Sequence, residues 1–239
     1  ALNLCTLLDR AGQRVLLVDL DPQGSSSALG LGQEAADQGQ SLVEVLTDGK
    51  PLRRACRRIK WLKHAQVTCS GERLGRVQAL QADLVAGGQL ALRDALKGGP
   101  WDTVIIDCPP VAAHLIKVAL VAADHVLIPC PMTGASTRGL GALMRSISAA
   151  QRLNSDLRIA GVLPTMVRPR RKAAKTVMKQ LVDALGADSI FDAYVREDSS
   201  VDDLDLRGRP VVFYRSNDGA AQDYKDVLAE LNERMGAVA

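Results

Sequence analysis

Aromatic residues are scarce in this chain: two Trp, three Tyr and two Phe make up 3% of its 239 residues. Proteins that read single strands or RNA stack bases on exposed rings, so this composition argues against a platform of that kind. Cysteine is sparse too. Cys5, Cys56, Cys69, Cys108 and Cys130 form no Cys-x-x-Cys pair, and their odd number fits reduced thiols better than a disulfide framework. His64, His114 and His125 have no ligand spacing relative to one another or to the cysteines, which argues against zinc. No apolar run is long enough to span a bilayer. The charge excess is small, 30 basic against 27 acidic residues with a pI near 8.7, and by itself implies no nucleic-acid partner.

What is present is a chain that is 47% hydrophobic, long enough for one sizeable core, with regular alternation of strand and helix signals. That pattern predicts a single α/β domain over 1–239.

Val15-Leu16-Leu17-Val18-Asp19-Leu20-Asp21-Pro22-Gln23-Gly24 is its most informative stretch. An apolar run with β-branched ends, entered through Gly12 and left through Pro22 and Gly24, reads as a strand buried on both faces of a parallel sheet. Asp19 and Asp21 then fall at its C-terminal edge, where open α/β sheets bind ligands. Thr103-Val104-Ile105-Ile106-Asp107, introduced by Trp101-Asp102 and followed by Cys108-Pro109-Pro110, repeats the form: a buried strand ending in an acid. A buried carboxylate needs a cation or hydrogen-bond donors, and magnesium accepts one or two carboxylates beside water and phosphate oxygens.

Around these stretches the periodicities predict a helix tail over Ala1 to Ala11 capped by Gly12. A small polar stretch follows from Ser25 to Gly32, then a surface loop from Gln33 to Gln40 and a short helix from Ser41 to Leu46. In Lys50 to Lys63, Arg53, Arg54, Arg57 and Arg58 recur at spacings that place them on one helical face, either solvated or turned to an acidic partner. Val67 to Cys69 is a short strand, and Leu80 to Leu96 a helix weakened by Gly87-Gly88. Further on come a helix over Ala112 to Ala122, a strand over Val126 to Pro129, a helix over Thr137 to Leu153 and a strand from Arg158 to Val162. Arg168-Pro169-Arg170-Arg171-Lys172 opens a helix with a core face of Ala174, Val177, Met178, Leu181 and Leu185, capped by Gly186. The last helix, with Ala220, Ala221, Tyr224, Leu228, Leu231 and Met235 on its apolar face, mixes charges on the other side, unlike an interfacial membrane helix.

The residues VLLVDLDPQG, followed by SSSALGLG and later by WDTVIIDCPP, resemble the ParA/MinD family of deviant P-loop ATPases, and within it the ParA-type partition ATPases. The resemblance runs along nearly the whole chain and implies a doubly wound, mostly parallel sheet of the P-loop NTPase type. One feature departs from it. Family members carry a Lys-Gly-Gly-x-Gly-Lys-Thr-Thr loop ahead of a helix reading Ala-x-Asn-Leu-Ala. Here Ala1-Leu2-Asn3-Leu4-Cys5 begins where that loop ends, so the first strand and the phosphate loop are absent from these 239 residues. The expectation is an N-terminally incomplete record, with the 239 residues alone inactive.

For the complete protein the resemblance implies ATP and Mg2+ as cofactors. Asp21 is the catalytic acid beside the γ-phosphate. Asp19, Asp21 and Pro109 lie at the nucleotide, Thr165 near the base, and Asp107 serves the metal. Further implications are a homodimer closed by ATP, non-specific DNA binding, a stimulating partner of the ParB kind, and a cytoplasmic, nucleoid-associated location with no membrane contact. Relatives use basic residues of the C-terminal half for DNA, which makes Arg168, Arg170, Arg171, Lys172 and Lys175 the candidate phosphate-reading surface, with a solvated basic face as the alternative. The family's Glu-Ala pair is replaced here by Asp203-Leu204. A DNA-associated or regulatory scaffold that no longer hydrolyses nucleotide is the competing function.

Overall fold

The computed structural model describes residues 1–37, 42–70, 74, 88–110, 113–133, 139–168, 171–202, 208–214 and 219–236. They group into two compact units: Ala1–Ala123 with Ala150–Ser155, and Asp124–Ala149 with Asp156–Ala239.

The first unit holds helix α1 (Leu2–Arg10), strand β1 (Val15–Asp19), helices α2 (Ser25–Leu31), α3 (Gln33–Asp37) and α4 (Leu42–Asp48), strands β2 (Cys56–Arg58) and β3 (Gln66–Thr68), helix α5 (Ala91–Leu96), strand β4 (Thr103–Asp107) and helix α6 (Ala113–Ala122). Its sheet has the order β2-β3-β1-β4. β3, β1 and β4 run parallel, and β2 runs antiparallel to β3. All five residues of β1 are buried, as an unbroken apolar run demands in a strand covered on both faces. Leu16, Val18 and Leu20 pack with Leu42, Leu74, Leu92 and Leu115 in one core.

The foot of the sheet is clamped. Arg14 donates from its backbone N–H (2.8 Å), Nε (3.1 Å) and Nη2 (2.5 Å) to the Asp102 carboxylate, while the Asp102 N–H returns a 2.8 Å bond to the Arg14 carbonyl. This fixes β1 against β4 in the register Val15↔Thr103 through Asp19↔Asp107.

The second unit contains strand β5 (His125–Pro131), most of helix α7 (Leu140–Gln151), strand β6 (Arg158–Thr165) and helices α8 (Lys172–Leu185), α9 (Ser199–Asp202), α10 (Val211–Tyr214) and α11 (Gly219–Gly236). β5 and β6 pair in parallel, with a register irregularity between Val126 and Leu127. Gly161, in β6 at φ 148°, lies where an added Cβ would meet the fully buried Phe191 ring at 2.8 Å. Arg234 of α11 stacks on the same ring, 4.4 Å from its centroid, and donates to the carbonyls of Ala160, Asp188 and Ile190. Glu230, paired with Arg234 at 2.7 Å, accepts the N–H groups of Asp192 and Ala193. Two members of the mixed-sign side of the last helix therefore tie it to the segment around Phe191.

The α/β class and the parallel strands agree with the reading of the sequence, and four segments differ from it. Lys50 to Lys63 is no helix: Leu52–Arg54 is a single 3-10 turn and Cys56–Arg58 is β2. Pairing with β3 outweighs the helical spacing of the arginines, with Cys69 N–H bonded to the Ala55 carbonyl and Ile59 N–H to the Ala65 carbonyl. Ser25–Leu31 and Gln33–Asp37 are helical where the composition suggested a polar stretch and a loop. The strand expected to stop at Val162 runs on to Thr165. The Leu80 to Gly87 part of the weakened helix and Asp203-Leu204 lie outside the described residues. Among those described, no helix is long and apolar enough to cross a membrane.

Candidate functional site

Asp19 ends β1 and Asp107 ends β4, and the register sets them opposite each other at the C-terminal edge of the first unit's sheet. Asp19 is fully buried, and Asp107 is half-buried. The chain then turns at Asp21, whose Oδ1 accepts the Gln23 N–H at 3.0 Å and whose carbonyl accepts the Gly24 N–H at 2.9 Å. Gly24 takes φ 65°, a left-handed conformation that costs glycine little, and from there α2 starts.

Each acid is held by donors from this turn or from the start of α2. Both Asp19 oxygens accept backbone N–H groups: Oδ1 from Asp21 at 3.2 Å and Oδ2 from Ser27 at 2.7 Å. The Asp19 N–H itself donates to Thr68 Oγ1 at 3.0 Å. Burial pushes the Asp19 carboxyl up to about 6, against those stabilising bonds, and the Asp107 charge adds to the rise. Ser26 Oγ donates to Asp107 Oδ2 at 2.5 Å, and Leu20 N–H to the Asp107 carbonyl at 2.9 Å. Ser70 Oγ donates to the Asp21 carbonyl. The edge is thus a cluster of carboxylates and hydroxyls in which the turn faces the ends of three parallel strands.

Such oxygen donors suit a hard cation. Among the described residues no three His, Cys, Asp or Glu side chains converge as a ready-made metal cage. Magnesium takes few protein ligands and fills its remaining positions with water and phosphate oxygens. Asp107, with Ser26 beside it, would supply the protein's share, directly or through water.

The structure brings Asp19, Asp21 and Asp107 together, with Pro109 buried just beyond Asp107. Thr165 is the last residue of β6 in the second unit, and its carbonyl accepts the Met132 N–H at 2.9 Å. Of the basic candidates, Arg171 is the N-cap of α8 and is exposed together with Lys172 and Lys175. Arg170 lies outside the described residues. Arg168 is already taken, since its Nε and Nη2 both donate to the Glu197 carboxylate.

Reading the sequence missed the hydroxyls Ser26, Ser27, Thr68 and Ser70. The signal was present in the small polar run after Gly24, but it pointed to a loop rather than to donors aimed at acids.

Comparison with known proteins gives the chain its relatives. The family described as an AAA domain matches residues 1–159. The chromosome partitioning protein ParA of Caulobacter vibrioides is 33% identical over 239 residues, covering 98% of this chain and 88% of that protein. Among solved structures, cobyrinic acid a,c-diamide synthase from Mycobacterium smegmatis with a bound ATP analogue and magnesium is 33% identical, with a TM-score of 0.69 over 76% of this chain and 72% of that one. A McdA variant from Cyanothece in complex with ATP reaches a TM-score of 0.83 over 98% of this chain and 89% of that one, at 20% identity, which is a likeness of fold.

Proposed function

Because the chain belongs to the ParA family of partitioning ATPases, we propose that the full-length protein hydrolyses Mg·ATP at the acid edge of β1 and β4 and uses the cycle to segregate DNA. In this reading ATP closes a homodimer, the dimer binds duplex DNA without regard to sequence, and a partner of the ParB kind stimulates hydrolysis. The protein works in the cytoplasm on the nucleoid. The observation that supports it most directly is the pairing of Asp19 with Asp107 across β1 and β4, with Asp21 in the turn immediately after.

Magnesium, when bound, would neutralise phosphate charge. The chain's own residues position. Asp107, oriented by the Ser26 hydroxyl, would hold the ion, directly or through water. Asp21, fixed by the Gln23 and Gly24 N–H groups and by Ser70, presents the free part of its carboxylate to the attacking water. Asp19, buried behind both, braces the turn through Asp21 and Ser27.

Phosphoryl transfer depends chiefly on positioning and charge, so removing one of these carboxylates should slow turnover by at least about tenfold, or ~1.4 kcal/mol of barrier. In the full-length protein Asp21→Ala is expected to retain ATP and trap the dimer, whereas Asp107→Ala is expected to weaken magnesium-dependent binding itself. Steady-state hydrolysis and nucleotide titration separate the two. Parent-rate hydrolysis in both variants would overturn the assignment, and DNA binding without any hydrolysis in the parent would favour the scaffold.

A further inference from the structure

We propose that the basic strip from Arg53 to Lys63, on the β2 edge of the first unit, is a second contact surface for the phosphate backbone of duplex DNA. It rests on the DNA-binding reading above and adds a surface distinct from the α8 residues.

Between Asp48 and Glu72 the sequence has no acid and seven Lys or Arg residues. Setting those seven aside leaves 23 basic against 27 acidic residues, a balance of −4, so this one segment accounts for the chain's positive net charge. Lys50 is paired with Glu44. Arg53, Arg54, Arg57, Arg58, Lys60 and Lys63 are all exposed, and none forms an ion pair with a described carboxylate.

The backbone displays these cations along one edge. Cys56 lies opposite Thr68, at the end of β3 nearer the acid site, and Arg58 lies opposite Gln66 at the other end. The strip therefore runs the length of the sheet's outer strand. Beneath it Leu52, Ala55, Ile59 and Leu62 are buried. The Asp9 carboxylate accepts the N–H groups of Lys63 and His64 at 3.2 and 2.6 Å, and Arg57 Nη1 donates to the carbonyls of Arg54 and Cys56. The turn is thus shaped without a ligand. A cavity of about 240 Å3 at its lower end is bordered by Arg58, Lys63 and His64.

The chemistry of the strip selects its partner. Every large apolar side chain of the segment turns inward, apart from the half-buried Trp61, so a protein partner would find no exposed anchor for the buried centre of an interface. Phosphates need only the cations. With no exposed aromatic to stack an unpaired base, the strip suits a duplex rather than a single strand.

The test is a salt series on random-sequence duplex DNA with the full-length, ATP-bound protein. Arg53→Ala, Arg54→Ala, Lys60→Ala and Lys63→Ala are combined, because their side chains bond to no described group and their loss should leave the urea midpoint unchanged. The slope of log affinity against log salt is expected to flatten by up to about 0.9 per lost contact. A companion carrying Arg53→Lys and Arg54→Lys keeps the charge and is expected to keep the slope. A parent that binds no DNA would sink both this proposal and the DNA-binding reading. A parent that binds, with its slope unchanged in the quadruple variant and reduced only by Arg171→Ala with Lys175→Ala, would overturn this proposal alone. Poly-glutamate bound by the parent and not by the quadruple variant, with the DNA salt slope the same in both, would make the strip a protein-docking surface and overturn it as well.

Discussion

At Asp19 burial and hydrogen bonding pull the carboxyl in opposite directions, and burial wins, holding it at about 6. A carboxyl whose folded value exceeds its unfolded one binds a proton on folding. Its contribution to stability is therefore largest below about pH 4, declines as pH rises towards about 6, and stays lowered above that. Asp19→Asn removes the titration. It also leaves one of the Asp21 and Ser27 N–H groups without its acceptor, at a cost of about 1 kcal/mol, so the slope of stability against pH is the readout rather than its absolute value. Urea titrations at several pH values between 4 and 7 are expected to show the variant gaining on the parent as pH rises. Parallel curves would place the Asp19 carboxyl in an ordinary solvated environment. Asp102 has the opposite sign: Arg14 holds it down at about 2, so the clamp's contribution is present above about pH 4 and is lost as pH falls through 2. Acid unfolding of Asp102→Asn is expected to lack that loss, and an acid limb identical to the parent's would count against it.

Among the elements, β1 and β4 were legible because unbroken apolar runs ending in acids have few other solutions in an α/β chain. The strip from Lys50 to Lys63 was not, because β2 is only three residues long. That is too short for a period-two signal, while arginines three and four apart imitate a helical face. α2 was hidden for another reason: Ser25 to Ser27 favour caps and turns, and what holds them in a helix is tertiary, through Ser27 to Asp19 and Ser26 to Asp107. In the second unit, Gly161 marks where β6 passes the Phe191 ring. Gly161→Ala places a methyl group inside contact distance at a φ of 148° that L side chains rarely adopt. It is expected to destabilise the protein by about 1–3 kcal/mol, read as a lowered urea midpoint, with the Asp21-dependent hydrolysis of the folded fraction unchanged. An unaltered midpoint would mean that the ring moves aside freely.

Across the whole molecule, the acids and the phosphate contacts come from different sources. The acid edge assembles from strand ends and a turn that these 239 residues contain, which is why the site's carboxylates were readable while its hydroxyls awaited the packing of α2 and β3. The Lys-Gly-Gly-x-Gly-Lys-Thr-Thr loop is not among them. A triphosphate is bound chiefly by the backbone N–H groups and lysine of such a loop, where dipole and charge act together. Carboxylates without it repel the ligand. A fluorescent ATP analogue titrated into a polypeptide of residues 1–239 is therefore expected to show no magnesium-dependent saturation at micromolar concentration. Circular dichroism on the same sample establishes that the polypeptide is folded, so that a negative result reports on the site. Tight, magnesium-dependent binding by residues 1–239 would mean that Gly24, Ser26 and the α2 turn cradle the phosphates unaided, and the division of labour argued here would fall.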